Sequence, residues 1–251
     1  MSRLNIKNIQ LLQSQDRLAD LPIGKLLVNT INAHSYNTAR KDPLFAEALL
    51  KGDVLLPDGA SIVKAMKWLQ GKTIERTAGW DLFVWEMANL EQRAKNSEQK
   101  QKKVFFLGSH EAILEKIKQR AAEEYPHLDV YTYSPPYKLE FSEKDNREMI
   151  AAVNRVQPHL LWIGMTAPKQ EKWAYSHLRE LEVKGHIGTI GAVFDFYAGT
   201  VERAPLWWQE NSLEWLYRLI KEPKRMWRRY IIGNTLFLLN ISKEYVYSKI
   251  K

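Results

Sequence analysis

Val104-Phe105-Phe106-Leu107-Gly108-Ser109 is an apolar run that stops at a glycine, and a polar segment with regular apolar spacing follows it. In that segment the apolar side chains recur at the three- and four-residue intervals of an amphipathic helix, at Ile113, Leu114, Ile117 and Ala121. The pattern predicts a strand over residues 103–107 and a helix over residues 111–124. Because the same strand–turn–helix unit recurs along the chain, it determines the fold class.

Short apolar runs of this kind predict six strands, at residues 26–30, 54–56, 103–107, 129–133, 160–163 and 187–190. Amphipathic runs predict helices at residues 35–50, 60–69, 81–90, 111–124, 142–156, 169–182 and 207–219. This alternation favours an α/β, Rossmann-like fold, in which helices cover both faces of a mainly parallel sheet. Ligands of such folds bind at the carboxyl ends of the strands. The residues that follow each strand are therefore the candidates for a site.

The composition limits the chemistry. The chain has 251 residues, 45% of them apolar and 26% charged, which is enough for one large domain with an appendage. It has no cysteine, which excludes disulfides and cysteine-ligated metals and is consistent with a reducing compartment. The six histidines are scattered, and neither His-Glu-x-x-His nor Asp-x-Asp occurs, so no metal site is expected. No G-x-G-x-x-G and no Walker loop occurs, which disfavours a dehydrogenase or a P-loop ATPase, and no cofactor is expected.

Apolar segments bear on the location of the protein. The first seven residues, Met1 to Lys7, lack the apolar stretch found in secretory signals. Apolar stretches elsewhere are shorter than the roughly 20 residues that span a bilayer. These features predict a cytoplasmic protein that is soluble or peripheral to a membrane.

Positive charge is concentrated at the carboxyl end. The net charge is +8, and residues 221–251 carry +6 of it, because they hold eight lysines and arginines and two glutamates. Trp227, Tyr230 and several aliphatic residues alternate with these cations, which is typical of segments that lie on anionic membranes. We therefore predict an α/β domain at 1–220 and a basic, aromatic, membrane-associating helical appendage at 221–251. The alternative is a helix packed on the body or on a neighbouring subunit, whereas nucleic-acid binding is disfavoured because no recognition motif occurs.

Two charged residues stand at the predicted site edge. Asp58 comes directly after the strand at 54–56 and before a helix, where its carboxylate either projects into the cleft or caps that helix. Arg76 precedes the helix at 81–90, where its guanidinium is suited to clamp a phosphate. A surface arginine is the alternative.

Two strand–helix turns have features that favour anions. Gly108 ends the strand at 103–107, and the next helix could hold phosphate through backbone N–H groups, although glycine is also common there for packing alone. Lys169 and Gln170 start a helix, and the helix dipole opposes a lysine at that place. A lysine kept in a locally unfavourable position indicates anion binding.

Residues 188–199 form a glycine-spaced, aromatic stretch suited to a uridine or sugar pocket. Gly191 lies in its turn, and Asp195 is its one charged residue, a candidate partner for ribose or for Arg203. Aromatic residues at this spacing are also typical of a protein core, and that interpretation stays open.

Taken in chain order, the motifs at these turns resemble the WecG/TagA/CpsF family of glycosyltransferases. They fall within residues 25–232 and are Thr30-x-Asn32, Pro57-Asp58-Gly59, Arg76-Thr77-Ala78-Gly79-x-Asp81, Phe106-Leu107-Gly108, Pro135-Pro136-Tyr137, Gly164-x-x-x-Pro168-Lys169-Gln170-Glu171, Gly191-Ala192-x-Phe194-Asp195-x-x-x-Gly199, Arg203-Ala204-Pro205, Leu213-Glu214-Trp215-Leu216-Tyr217-Arg218-Leu219 and Glu222-Pro223-x-Arg225.

The resemblance implies an inverting, metal-independent transfer of an N-acetylmannosamine-type sugar from a UDP-sugar to undecaprenyl-diphosphate-linked N-acetylglucosamine. Such a reaction serves the synthesis of teichoic acid or other cell-surface polysaccharide at the inner face of the plasma membrane. The implied partners are the UDP-sugar, the polyprenyl-diphosphate-linked acceptor and an anionic membrane surface. A homo-oligomer is compatible with the sequence.

Roles follow from the resemblance by matching position. Asp58 is the implied general base that deprotonates the acceptor hydroxyl. The sugar is the implied contact of Thr30 and Asn32. The donor or its leaving group is the implied contact of Arg76 and Gln170. The diphosphate is the implied contact of Arg203, Arg218 and Arg225. Two alternatives keep the fold: a different donor, such as UDP-glucose or a mannosaminuronic acid donor, or a non-catalytic, membrane-tethered nucleotide-sugar-binding protein.

Overall fold

Six strands form one parallel sheet in a computed structural model of the chain, which describes residues 4–6, 9–97, 102–211 and 213–250. The strands are β1 (Leu26–Ile31), β2 (Val54–Pro57), β3 (Lys102–Gly108), β4 (Leu128–Tyr133), β5 (Leu160–Gly164) and β6 (His186–Thr189). Their order across the sheet is β2-β1-β6-β5-β3-β4, and every neighbouring pair is parallel. All six carboxyl ends therefore meet at one edge of the sheet.

Twelve α-helices are assigned within the described residues: α1 (Ala33–Ala39), α2 (Pro43–Lys51), α3 (Ala60–Gln70), α4 (Gly79–Lys95), α5 (Glu111–Glu124), α6 (Glu143–Val156), α7 (Lys169–His177), α8 (Val193–Tyr197), α9 (Leu206–Glu210), α10 (Glu214–Lys221), α11 (Pro223–Trp227) and α12 (Gly233–Ile250). A 3-10 helix at Gln15–Asp20 precedes β1, and a π-helical turn at Arg228–Ile232 joins α11 to α12.

Alternate residues of each strand pack into opposite layers, as the pleat of a sheet requires. In β3, Val104 and Phe106 pack with α4 and α5, whereas Phe105 and Leu107 pack with α6 and α7. A third apolar cluster joins β1 and β2 to α1, α2, α3 and α12. The predicted Rossmann-like α/β architecture, with helices on both faces of a parallel sheet, is confirmed.

Four predicted helices differ from those of the structure, and the one predicted at 81–90 is longer, at Gly79–Lys95. The helix predicted at 35–50 is two helices, because Asp42 accepts a hydrogen bond from the backbone N–H of Phe45 at 3.0 Å and Pro43 begins a new helix, α2. The helix predicted at 207–219 is divided into α9 and α10, and the one predicted at 169–182 ends at His177. Amphipathic spacing continues through these breaks, and at 35–50 the Asp42 cap marks the start of the second helix.

The last helix, α12, is built into the core along one side. Phe237 and Ile241 are 1% exposed, and the ring of Phe237 meets that of Tyr36 edge-on with centroids 5.2 Å apart. The Glu244 carboxylate accepts hydrogen bonds from the hydroxyl of Tyr36, from Arg40 at 2.9 Å and from the backbone N–H of Ile6 at 3.1 Å. This side of α12 is thus packed on the body of the protein, which was the alternative prediction for the carboxyl-terminal segment.

The other side of the carboxyl-terminal segment is exposed. Five large apolar side chains on it are 41–57% exposed, namely Trp227, Ile231, Ile232, Leu238 and Leu239. We refer to these five residues as the apolar face. Within the described residues no helix combines the length and the apolar character needed to cross a bilayer. The division of the chain into 1–220 and 221–251 stays a prediction.

Candidate active site

The ends of β1 and β2 bring Asp58 beside the predicted sugar contacts. The backbone N–H of Asp58 donates to the carbonyl of Ile31 at 2.9 Å, which extends the β1–β2 pairing by one step beyond the sheet. A side chain added at Gly59 would lie 3.5 Å from the Cβ atom of Asn32, so the two turns are in contact. Thr30, Asn32 and Asp58 therefore share one edge of the sheet.

Asn32 and Asp58 differ in whether their side chains cap a helix. The Asn32 side chain caps α1 by accepting hydrogen bonds from the backbone N–H groups of His34 and Ser35, both at 3.0 Å. Helix α3 begins after Gly59 and has no side-chain cap. Asp58 therefore does not cap α3, and the capping interpretation is wrong.

Arg76 lies near Asp58 because the segment before α4 runs along the end of β2. The backbone N–H of Thr77 donates to the carbonyl of Pro57 at 3.1 Å. Burial raises the pKa of the Asp58 carboxyl, Arg76 and Arg218 act against that rise, and Glu214 and Asp81 add to it. Asp58 is thus a carboxylate of raised basicity that faces guanidinium groups.

The carboxylate of Glu214 lies within 4.0 Å of three arginines from separate parts of the chain. Glu214 Oε1 lies 2.7 Å from Arg218 Nη2, and its Oε2 lies 3.2 Å from Arg76 Nη2 and 4.0 Å from Arg203 Nη2. The Glu214 side chain is only 16% exposed. We refer to Glu214 and these three arginines as the arginine cluster.

Aromatic rings hold two members of the arginine cluster in place. The Arg203 guanidinium lies 5.0 Å from the centroid of the Trp80 ring, and the Arg218 guanidinium lies 4.8 Å from that of Phe196. Burial lowers the pKa of Arg203, and its Nε is buried without a hydrogen-bond partner in the described part of the chain. The side chain of Arg225, a predicted diphosphate contact, lies outside the described side chains.

Glycines allow the neighbouring strand ends to approach closely. Gly108 has a φ of +129°, and a Cβ atom there would lie 2.4 Å from the carbonyl oxygen of Gly164. Gly191 has a φ of +42°, and a Cβ atom there would lie 3.4 Å from Oε1 of Gln170. Gly108 is thus required for packing between β3 and β5, whereas Gly191 makes room for the Gln170 amide.

The Gln170 amide is fixed at both ends. Its Oε1 accepts from the backbone N–H of Met165 at 3.1 Å, and its Nε2 donates to Glu171 Oε1 at 2.9 Å. Glu171 is 1% exposed, and burial raises its pKa to about 7. The sequence motif contained Glu171 but gave it no role, since nothing in the pattern indicated that its side chain turns inward.

Two other predicted site residues lie in helices that follow these strands: Lys169 begins α7, and Asp195 lies in α8. Lys169 donates to the backbone carbonyl of Lys138, and its ammonium group lies 3.6 Å from the centroid of the Phe141 ring. The loop after β4 thus holds it, which explains how the start of α7 accommodates a lysine. The backbone carbonyl of Asp195 accepts from Thr200 at 3.0 Å and closes the turn after α8.

The arrangement is suited to displacing an anionic leaving group. Three guanidinium groups face the carboxylates of Glu214, Asp58 and Asp81, so charges of both signs lie at one end of the sheet. No set of three or more histidine, aspartate or glutamate side chains in the described ranges is placed to hold a metal ion. Glu214 is the residue that sequence reasoning missed here, although its four-residue spacing from Arg218 is a signal for a helical ion pair.

Comparison with known proteins agrees with this chemistry. The family model described as "Glycosyl transferase WecG/TagA/CpsF family" matches residues 2–250. An N-acetylglucosaminyldiphosphoundecaprenol N-acetyl-beta-D-mannosaminyltransferase of Bacillus subtilis is 28% identical over 225 residues, which cover 90% of this chain and 82% of that protein. Proteins of the same name from Bacillus spizizenii and Staphylococcus aureus strain MW2 are 32% and 24% identical, over 77% and 90% of this chain and 70% and 83% of their own lengths.

Proposed function

The chain belongs to the WecG/TagA/CpsF family of glycosyltransferases, and from this premise we propose that it transfers N-acetylmannosamine from a UDP-sugar to N-acetylglucosaminyl-diphosphoundecaprenol. The observation that carries the proposal is the position of Asp58, a carboxylate of raised pKa at the sheet edge beside the arginine cluster. The proposed base and the proposed leaving-group contacts thus lie at the same end of the sheet. The names of the relatives supply the sugar and the acceptor.

The proposed reaction is a single inverting displacement. Asp58 accepts the proton of the acceptor hydroxyl as that oxygen forms a bond to the anomeric carbon of the donor sugar. The bond between the anomeric carbon and the diphosphate oxygen breaks, and its electron pair leaves with UDP. A carboxylate with a raised pKa is a better proton acceptor than an ordinary one, and general bases of this kind contribute about 10²–10⁴-fold to the rate.

The negative charge that develops on UDP needs a counter-charge. Arg76 and Arg218 supply it in the proposed mechanism, since guanidinium groups bind phosphate oxygens bidentately and stay charged when partly buried. The reaction would then proceed without a divalent metal. We propose that the Gln170 amide, held against Gly191, contacts the donor on the β5–β6 side.

We further propose that the apolar face lies on the inner surface of the plasma membrane, where the acceptor lipid is. Lys224 and Arg228 are exposed in the same segment, and cations beside apolar side chains are attracted to anionic headgroups. Since α12 is fixed to the body by Phe237, Ile241 and Glu244, docking of this face would bring the active site to the lipid.

Substitution of the apolar face tests this docking. We expect Ile231→Glu to lower binding to vesicles of phosphatidylglycerol at least about tenfold, because burial of such a side chain contributes about 1.5–3 kcal/mol. Ile231 is 56% exposed, so folding should be preserved, whereas truncation of the tail would remove buried residues of the core. Ile23→Glu, at a position 87% exposed outside this face, is the matched control. Equal vesicle binding by the two variants would contradict the assignment.

UDP release tests the proposed reaction directly. The assay combines a panel of UDP-sugars with a short-chain lipid-diphosphate N-acetylglucosamine acceptor in the presence of EDTA. We expect acceptor-dependent release with UDP-N-acetylmannosamine. Release only with another UDP-sugar would change the donor and keep the reaction type. No release from any donor, with UDP still bound, would favour a nucleotide-sugar-binding protein and contradict the transferase.

A further inference from the structure

A cleft of about 490 Å³ opens beside the arginine cluster. This volume lies within the range of small-molecule sites, roughly 300–1,000 Å³. Its walls come from the start of α4, from α8, from the loop before α9 and from α10, and they include Trp80, Phe196, Val201, Arg203, Pro205 and Tyr217. The mechanism proposed above uses none of these side chains. We refer to this space as the aromatic cleft.

The walls of the aromatic cleft are mainly apolar, and the two charged residues in its lining are Glu202 and Arg203. Three aromatic rings, a valine and a proline line it, whereas Arg203 stands at the boundary with the arginine cluster. Arg203 is 18% exposed along its side chain, and its buried Nε has no partner within the described residues. A ligand that fits such a space has an apolar body and an anionic head.

We propose that the aromatic cleft holds the first isoprenoid units of the lipid acceptor, with the acceptor diphosphate at Arg203. The proposal rests on the proposed function and specifies how its acceptor is recognised. Isoprenoid chains are branched hydrocarbons that pack against aromatic and aliphatic side chains without needing hydrogen bonds. The diphosphate at their end would meet the guanidinium at the edge of the cleft.

Two observations favour an isoprenoid over the nucleobase of the donor. Most of the wall consists of Val201, Pro205 and aromatic rings, which offer few of the hydrogen-bonding groups that a uracil ring would need for specific recognition. A row of aromatic rings also leads outward from the cleft: Tyr217 lies 5.7 Å from Trp208, and Trp208 lies 5.6 Å from Trp207. Trp207 is 60% exposed, so the row ends at the surface, as a lipid that leaves the site would require.

Direct binding measurements test the proposal without relying on turnover. The probes are farnesyl diphosphate, inorganic pyrophosphate and UDP, titrated into the full-length protein by calorimetry. We expect farnesyl diphosphate to bind at least about tenfold more tightly than pyrophosphate, because apolar burial adds to the same anionic contact. Val201→Asp, which places a carboxylate on the cleft wall, should lower farnesyl diphosphate affinity about tenfold and leave UDP affinity unchanged.

Leu44→Asp is the matched control, since Leu44 on α2 is 40% exposed and Val201 is 39% exposed. Equal binding of farnesyl diphosphate and pyrophosphate to the unmodified protein would overturn the proposal. So would a loss of UDP affinity in Val201→Asp with farnesyl diphosphate affinity intact, which would assign the cleft to the nucleoside. Tight farnesyl diphosphate binding without sugar transfer to any acceptor would instead contradict the proposed function and leave the cleft assignment standing.

Discussion

Asp58→Asn is expected to lower turnover about 10²–10⁴-fold while UDP affinity stays within about twofold of the unmodified protein. The amide keeps the shape of the side chain but cannot accept the proton of the acceptor hydroxyl. Because burial raises the pKa of Asp58, the acid limb of the kcat/KM profile of the unmodified protein should lie above the ordinary aspartate value of about 4. The variant should lose that limb.

Asp53→Asn provides the control for this substitution. Asp53 precedes β2 and Asp58 follows it, so the two residues flank the same strand at opposite ends. The Asp53 carboxylate accepts a backbone hydrogen bond from Leu27 at 2.7 Å, which the amide oxygen of asparagine can also accept. The turnover of Asp53→Asn should equal that of the unmodified protein. Retention of full turnover by Asp58→Asn, with UDP bound, would remove Asp58 from the chemistry.

The sheet was predictable from sequence because each strand is a short apolar run that ends in a glycine, a proline or a polar turn. All six predicted strands occur, with ends that differ by at most one residue from those of the structure. Their order across the sheet was not predictable, because it depends on which helices pack on which face. The contact between Gly108 and Gly164, residues far apart in sequence, arises only from that order.

The site was predictable as a set of turns, but not as a network of contacts. Sequence placed Asp58 and Arg76 near one edge, and the structure brings both to the arginine cluster. Sequence reasoning missed Glu214, because a glutamate in an amphipathic helix is usually exposed. In the structure, residues from other parts of the chain nearly enclose the Glu214 side chain. The carboxyl-terminal segment was ambiguous for a similar reason, because its composition fits both a membrane-binding surface and a protein core. In the structure, one side of α12 is buried in the core and the other is exposed.

Glu214 has two consequences for the proposed reaction. As the common partner of Arg76, Arg203 and Arg218, it keeps three guanidinium groups together. Its negative charge also adds to the pKa of Asp58. The proposed base and the proposed leaving-group contacts are therefore coupled through one carboxylate on α10.

Glu214→Gln is expected to lower kcat about 10²-fold, because the arginines lose the partner that fixes their positions relative to the leaving group, and a misplacement of about 1 Å costs about 10²-fold. The acid limb of the kcat/KM profile should also move to lower pH. The sign follows from charge: a nearby carboxylate disfavours ionisation of Asp58, so its removal lowers the pKa of Asp58 and keeps the base ionised in more acidic solution. Initial rates measured across a pH series give both quantities.

Glu75→Gln makes the same chemical change at an exposed position beside Arg76 and should alter neither quantity. A merely structural role for Glu214 would lower kcat without moving the acid limb, because the loss of a packing contact does not change the charge that acts on Asp58. A shift of the limb to lower pH therefore distinguishes electrostatic coupling from simple loss of structure. An unchanged kcat together with an unmoved limb would separate α10 from the chemistry and leave Arg76 as the contact that tunes the base.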